Sequence, residues 1–426
     1  MDGTSIVRRP PFGSNPLVGE RGSDTQRKIL GAALEVFSDV GFREARVELI
    51  TKRAGCSRPA FYQYFSSKDD VFWQLAGQLG REMVQLGHRL EQIGSDAEGV
   101  GALEAWIDEF MALHEAYAPV FSAFQAASRD HAPMVEGSSG ISNRLGTDLL
   151  RAFSIQGRGR RKVTLATSVV ALLIRCSFYW RSLEGTVEHD RLVTGLAQLV
   201  HRLFAGPIEG VNVRRRGLTL RPARVVPGPD GSHDAALPSR GQKTRQLLLD
   251  AGTMVLPARG YHDARVDDIV EAAGVSHGSF YRYFDNKEEF FRVLAEEAST
   301  RMVELLDAFP IDAPEPELRA WIHDWFATYE SNGGVISTWQ EMQVSDADLV
   351  SFGQQVAATV MARLMAVLDE RGFGDPLVDA VALLAVLERL PYGVYTLRFT
   401  KRDDAIDATV TIIRRGFLGL DDDPPR

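Results

Sequence analysis

Between Asp24 and Val40 the apolar residues Ile29, Leu30, Ala33, Leu34, Val36 and Phe37 recur at helical spacing, and Gly41 follows where a helix should end. Val47, Leu49, Ile50 and Ala54 predict a second, short helix stopping near Gly55. Ser57 is placed to cap a third helix running to about Tyr64, and a fourth begins after Ser66-Ser67, where Lys68-Asp69-Asp70 lead into Val71, Phe72 and Leu75. Phe61 and Phe65 stand four apart, so one face of the third helix packs inward and the other is left for a partner. Two short helices joined by a tight turn and braced by a longer one predict a helix-turn-helix.

The pattern returns 219 positions later. Thr25, Gly41, Ala54-Gly55, Ser57, Phe61-Tyr62, Tyr64-Phe65 and Lys68 reappear as Thr244, Gly260, Ala273-Gly274, Ser276, Phe280-Tyr281, Tyr283-Phe284 and Lys287 (260 − 41 = 219; 287 − 68 = 219). Beyond the modules the repeat continues more weakly. Trp106 matches Trp321 (321 − 106 = 215), Arg175 matches Arg389 (389 − 175 = 214) and Arg202 matches Arg415 (415 − 202 = 213), a drift that small loop deletions explain. The prediction is an all-α fold of two tandem units, each a helix-turn-helix followed by a helical effector and pairing domain. The boundaries fall at 1–23 for a basic arm, 24–72 and 73–205 for the first unit, 206–240 for a Pro/Gly/Arg-rich linker, and 241–291 and 292–420 for the second. Flexible chain of that linker's length spans roughly 30–35 Å, enough for one half to dock beside the other.

Composition narrows the chemistry. The 426 residues are 45% hydrophobic and 25% charged, a balance that lets each half bury a core. Only Cys56 and Cys176 occur, which excludes a disulfide framework or a cysteine-rich zinc site and fits a reducing compartment; no metal or cofactor is predicted. The apolar run from Val163 to Ile174 is too short to cross a bilayer, and the first 23 residues lack a signal core, so the expectation is a cytoplasmic protein with no membrane partner. A net charge of −9 argues against a nucleic-acid partner until the charges are located. Arg8, Arg9 and Arg21 precede the first module, and Arg214, Arg215, Arg216, Arg221, Arg224 and Arg240 precede the second.

The run from Ala54 to Asp69, Ala-Gly-Cys-Ser-Arg-Pro-Ala-Phe-Tyr-Gln-Tyr-Phe-Ser-Ser-Lys-Asp, with Gly41-Phe42 ahead of it, resembles the DNA-binding signature of TetR-type transcriptional regulators. So does the run from Ala273 to Glu288. The resemblance implies recognition helices at Ser57 to Tyr64 and Ser276 to Tyr283 that enter the major groove, with Ala60 and Ser279 also on the DNA-facing set. It implies a ligand pocket among the central helices and a four-helix pairing bundle. Here the bundle helices would be Val163 to Ser182 with Asp190 to Phe204, and Pro376 to Tyr395 with Ala405 to Leu418. The expected protein is a ligand-responsive transcriptional regulator, a repressor, whose partners are double-stranded operator DNA and a small apolar effector. It would be an intramolecular pseudo-dimer, with a further homodimer left open.

Hydroxyls and ammonium groups suit phosphate oxygens, so Tyr62, Tyr64 and Lys68, with Tyr281, Tyr283 and Lys287, are candidates for backbone contact. Arg58 and Gln63, against His277 and Arg282, are candidates for reading bases, and these differ between the copies. Unlike reading heads predict an imperfectly palindromic operator. Arg46 and Arg265 replace the Ser or Thr that commonly caps the second helix of such modules, and an arginine there can reach a phosphate instead.

Trp106, Phe110, His114 and Tyr117 stripe one helix face, with Phe121 following; Trp321, Trp325, Tyr329 and Trp339 form the counterpart, and Tyr392 joins them as a ligand-binding candidate. Core packing is the default reading of such a stripe, and the resemblance raises a pocket wall to an equal reading. Gly274-Val275-Ser276-His277-Gly278 fits the G-x-S-x-G pattern of a serine hydrolase. The elbow needs a preceding strand, and the first copy lacks the final glycine, so no enzyme is predicted. The remaining rival is an interaction protein whose helix-turn-helix no longer binds DNA.

Overall fold

The computed structural model describes residues 20–128, 132–156, 159–182, 187–207, 239–261, 263–341, 347–369, 371 and 374–420. Among these the regular structure is entirely helical. The first unit contains α1 (Glu20–Glu44), α2 (Val47–Ala54), α3 (Arg58–Tyr64), α4 (Lys68–Arg89), α5 (Ala97–Ala116), α6 (Ala118–Ser128), α7 (Ala132–Ala152), α8 (Arg160–Ser182) and α9 (His189–Ala205). The second contains α10 (Ser239–Arg259), α11 (Val266–Ala273), α12 (His277–Phe280), α13 (Lys287–Asp307), α14 (Glu315–Glu341), α15 (Ala347–Asp369), α16 (Pro376–Tyr395) and α17 (Arg402–Thr411), which widens into a π-helical turn at Ile412–Phe417. Residues 1–19 of the expected N-terminal arm and 208–238 of the expected linker lie outside the described residues, whereas the arm's last four residues, expected to be flexible, already belong to α1 and the linker's last two to α10.

The repeat is conformational as well as chemical. Gly41 and Gly260 both sit at φ 76°, and Gly55 and Gly274 both at φ 64°, a left-handed backbone that a side chain would strain. These glycines turn the chain out of α1 and α2 in one unit and out of α10 and α11 in the other. The units diverge after the module: α14 runs unbroken where the first unit splits into α5 and α6. Pro119 lies just past that split and cannot donate to the carbonyl one turn back, whereas Gly334 holds its place in the second unit (334 − 119 = 215).

The first module rests on its own unit through α1 against α6, and the second through α10 against α14. Below them, α8 and α9 of the first unit pack on α16 and α17 of the second, so a four-helix bundle forms within one chain. By length and composition Arg160–Trp180 could cross a membrane, but 56% of its apolar window is buried in the protein, as suits a bundle core. Arg175 within it reaches Glu388 of α16 through Nε at 3.0 Å and Nη2 at 2.6 Å.

Candidate nucleic-acid interface

Each module is built on a pair of phenylalanines. Phe61 and Phe65 are fully buried with ring centroids 5.7 Å apart, and Phe280 and Phe284 repeat the arrangement at 5.5 Å. Anchored on that inner face, the third helix of each module turns its other side outward. Tyr62 and Tyr281 are each 51% exposed, and Arg58, Gln63, His277 and Arg282 are exposed beside them. Ser57 and Ser276 are also exposed, while Ala60 and Ser279 are partly covered.

The two third helices differ in length. α3 extends over the expected span, but the second recognition segment is α-helical only at His277–Phe280 and continues as turn. In the first copy the Ser57 hydroxyl accepts the Ala60 N–H at 3.3 Å and Pro59 presets the helical φ. In the second, the Ser276 hydroxyl is engaged with the Ser279 hydroxyl at 2.8 Å, and Gly278 stands where Pro59 does. A missing cap bond and a flexible glycine both shorten a helix. Ser276 follows α11 rather than a strand, so the hydrolase elbow is not formed.

Tyr64 and Tyr283 differ from their neighbours: both are partly buried against their modules' cores, so the outward hydroxyl of each pair belongs to Tyr62 or Tyr281. Lys68 and Lys287, expected at phosphate, are turned in this structure toward their own modules. The Lys68 ammonium donates to the carbonyls of Phe42, Arg43 and Ala45 at 2.8, 2.8 and 2.9 Å, which occupies all three of its protons. Lys287 does the same at Tyr261 and Ala264, at 2.8 and 3.0 Å. Each lysine also lies over an aromatic ring, Phe42 at 4.9 Å and Tyr261 at 4.4 Å. A cation at the carbonyl end of the first helix neutralises the negative dipole end and satisfies acceptors that the helix leaves open. These lysines hold the module together rather than reaching for phosphate.

The fourth helices start on matching reciprocal caps. Ser67 accepts the Asp70 N–H at 3.2 Å while Asp70 accepts the Ser66 N–H at 2.9 Å; Asn286 and Glu289 repeat this, with Glu289 accepting the Asp285 N–H. Arg46 and Arg265 are exposed at the starts of α2 and α11. Arg46 caps nothing with its side chain, and the backbone N–H of Arg265 is taken by Asp268 at 2.9 Å.

One base-reading candidate in each module is steadied by a carboxylate from the helix before it. Glu48 pairs with Arg58 at 2.8 Å and Asp267 with His277 at 3.2 Å. Both pairs are exposed and worth at most about 1 kcal/mol, so they orient the side chains without locking them away from a base edge. The modules also touch each other, through Arg43 Nη2 and Asp263 Oδ1 at 3.0 Å.

The aromatic stripes are packed. Phe110 exposes nothing and Trp325 only 2%. The indole N–H groups of Trp106, Trp321 and Trp325 are spent on the carbonyls of Leu86, Leu305 and Leu387 at 3.0, 2.8 and 2.8 Å. His114 is buried with its ring stacked on Phe121, centroids 4.1 Å apart. The Tyr117 hydroxyl donates to Glu82 at 2.7 Å, and burial together with that carboxylate pushes its pKa well up. Tyr329 and Tyr392 are buried, and the side chain of Trp339 lies outside the described residues. As to the two readings of the stripes, the structure places those residues whose side chains are described in or against the core. A shallow cleft of about 530 Å³ lies elsewhere, between the units, lined by Asn143, Arg160, Thr164, Arg398, Phe399 and Lys401 among others.

The sequence profile described as "Bacterial regulatory proteins, tetR family" matches residues 29–75 and 248–294, the same 219-residue offset as the repeat (248 − 29 = 219). Among characterised and uncharacterised relatives, the HTH-type transcriptional regulator YdgC of Bacillus subtilis is 36% identical over 74 residues, 17% of this chain and 38% of that protein. The transcriptional regulator AcuR of Cereibacter sphaeroides is 40% identical over 94 residues, 21% of this chain and 40% of its own length. The chain thus spans about two fifths of these relatives. The HTH-type transcriptional activator FasR of Mycolicibacterium smegmatis is 26% identical over 191 residues, covering 44% of this chain and 87% of that protein. A regulator structure from Aquifex aeolicus VF5 aligns with 39% of this chain and 95% of its own at 15% identity and a TM-score of 0.33, too distant to carry an argument. With the signature matched twice, and matching glycines and phenylalanine pairs building both copies, the chain carries two tandem helix-turn-helix domains of the type that defines the tetR family of bacterial regulatory proteins.

Proposed function

We propose that the protein is a ligand-responsive repressor whose two unlike recognition helices read an imperfectly palindromic operator, with the usual pairing of two chains replaced by pairing of the two halves of one. The observation that carries this reading is the contrast on the outward faces. Arg58 and Gln63 face out of one module where His277 and Arg282 face out of the other, on frameworks whose turns and caps otherwise match. Arginine suits the O6/N7 edge of guanine and glutamine the N6/N7 edge of adenine, so the halves select different bases. Tyr62 and Tyr281, common to both, supply contacts to phosphate that position each helix.

Effector control belongs to the same reading. An apolar molecule entering the layer of Trp106 and Phe110, or of Trp321 and Trp325, has to part packed rings, and α6 and α14 carry that displacement to α1 and α10. The test is selection of bound sequences from randomised duplexes, followed by titrations at several salt concentrations. Two different half-sites about one helical turn apart should emerge, with affinity falling steeply as salt rises. A perfect palindrome as the best site, or no salt-sensitive binding, overturns the reading. A reporter behind the selected site should rise when the protein is removed; a fall would make it an activator.

A further inference from the structure

Six ion pairs that join the two units run in one direction. Arg43 meets Asp263, Arg160 meets Asp404, Arg161 meets Asp407, Arg175 meets Glu388, Arg191 meets Asp375 and Arg202 meets Asp379, with the arginine always on the first unit and the carboxylate always on the second. Several are deep. The side chains of Arg175 and Glu388 are 6% and 13% exposed, and Arg191 grips Asp375 through two bonds of 2.5 and 2.9 Å.

The repeat makes the direction informative, because it shows what each residue would meet if like units paired. Arg161 stands in the first unit where Asp375 stands in the second (375 − 161 = 214), and Arg191 where Asp404 stands (404 − 191 = 213). Two first units would therefore bring arginine against arginine at both ends of the bundle, and two second units aspartate against aspartate. The places of Glu388 and Asp379 are held in the first unit by Ile174 and Leu165 (388 − 174 = 214; 379 − 165 = 214). Between first units, Arg175 and Arg202 would be buried without those carboxylates, which is strongly unfavourable. Shape agrees with charge. A Cβ at Gly195 would lie 2.6 Å from Val378 Cγ1, and the second unit carries Ala408 at the matching position (408 − 195 = 213), so two second units would force that methyl into the valine.

We infer that the bundle face encodes its own partner: each unit accepts only the unlike unit, and like-with-like association of this chain is excluded by charge and by shape. This deepens the proposed internal pairing and names what occupies the face that a chain of one unit would offer to a second copy. With both halves on one chain, the linker raises the effective concentration of the correct partner above that of any other.

The test uses full chains and reversed charges. One variant carries Arg160→Glu, Arg161→Glu and Arg191→Glu; a second carries Asp375→Arg, Asp404→Arg and Asp407→Arg; a third carries all six. The unaltered protein should sediment as a single chain of 47.1 kDa across concentrations. Each triple variant should melt roughly 5–10 °C lower, and the six-fold variant should recover most of that loss, short of the helix cap that Asp375 also supplies to Leu377 and Val378 and of the 2.6 Å pair that Asp407 makes with Arg319 of its own unit. Mixed in equal amounts, the two triple variants should form a two-chain particle in which each reversed unit finds its complement. Triple variants that melt like the unaltered protein, a six-fold variant that does not recover, or a mixture that stays as its separate chains would each overturn the inference. Operator binding is read separately: its absence with mass and melting as expected counts against the DNA reading alone.

Discussion

The two helix-turn-helix modules share their turns, caps and inward phenylalanines, yet the first is the better built. Its recognition helix has a serine cap bond and a proline near its start, where the second has a serine–serine contact and a glycine. Among the described side chains, the first module's core runs without a break into the body of the protein. Leu248, Ile269, Phe280, Phe284, Phe290 and Phe291 of the second form a cluster of their own, joined by Val335 of α14. With a shorter recognition helix that lacks the serine cap bond, the second module is expected to open by itself at lower cost. One chain thus carries a firm reading head and a looser one.

The largest test of that contrast removes a fully buried ring from each module. Phe61→Ala and Phe280→Ala should each cost about 3–5 kcal/mol. In denaturant unfolding followed by hydrogen exchange, Phe61→Ala should lower protection in α1 to α5 together, and Phe280→Ala should release α10 to α13 while the bundle stays closed. Equal spread of the damage in both variants would remove the distinction.

Lys68→Met and Lys287→Met come next. Each leaves carbonyls at the end of a helix without their ammonium donor and should destabilise by about 1–3 kcal/mol. Because neither lysine faces outward, the slope of log affinity for DNA against log salt should stay unchanged; a slope shallower by about one would restore them as phosphate contacts.

Arg58→Ala and His277→Ala sharpen the comparison at the level of bases. Each should relax preference in one half-site only, by about 1–3 kcal/mol at the position read, when binding is measured against single-base operator variants. Relaxation in both half-sites from either change would contradict separate reading heads. The smallest effect is expected from Gly278→Ala, where a Cβ meets open space. Up to about 1 kcal/mol of helix propensity should lengthen α12 toward α3 and raise the protection of its amides. Cys176, buried and with its thiol pKa pushed up by that burial, should resist alkylation in the folded protein through all of these changes.

What the sequence by itself determined is local or repeated. Helical periodicity, the stopping glycines at Gly41, Gly55, Gly260 and Gly274, the Ser57 and Ser67 caps and the duplication are set by residues within a turn or two of one another, so they could be read without coordinates. The outward residues Arg58, Tyr62 and Gln63 follow from the same periodicity once Phe61 and Phe65 are placed inside. Only the tertiary structure decided where long, charged or aromatic side chains end. Lys68 lies over twenty positions from the carbonyls it serves, and Arg175 is 213 positions from Glu388. Trp106 and Trp325 read equally as pocket wall or core until the neighbouring helices closed on them. A flexible ammonium or guanidinium can satisfy itself on any acceptor that folding brings near, and no local pattern states which one that will be.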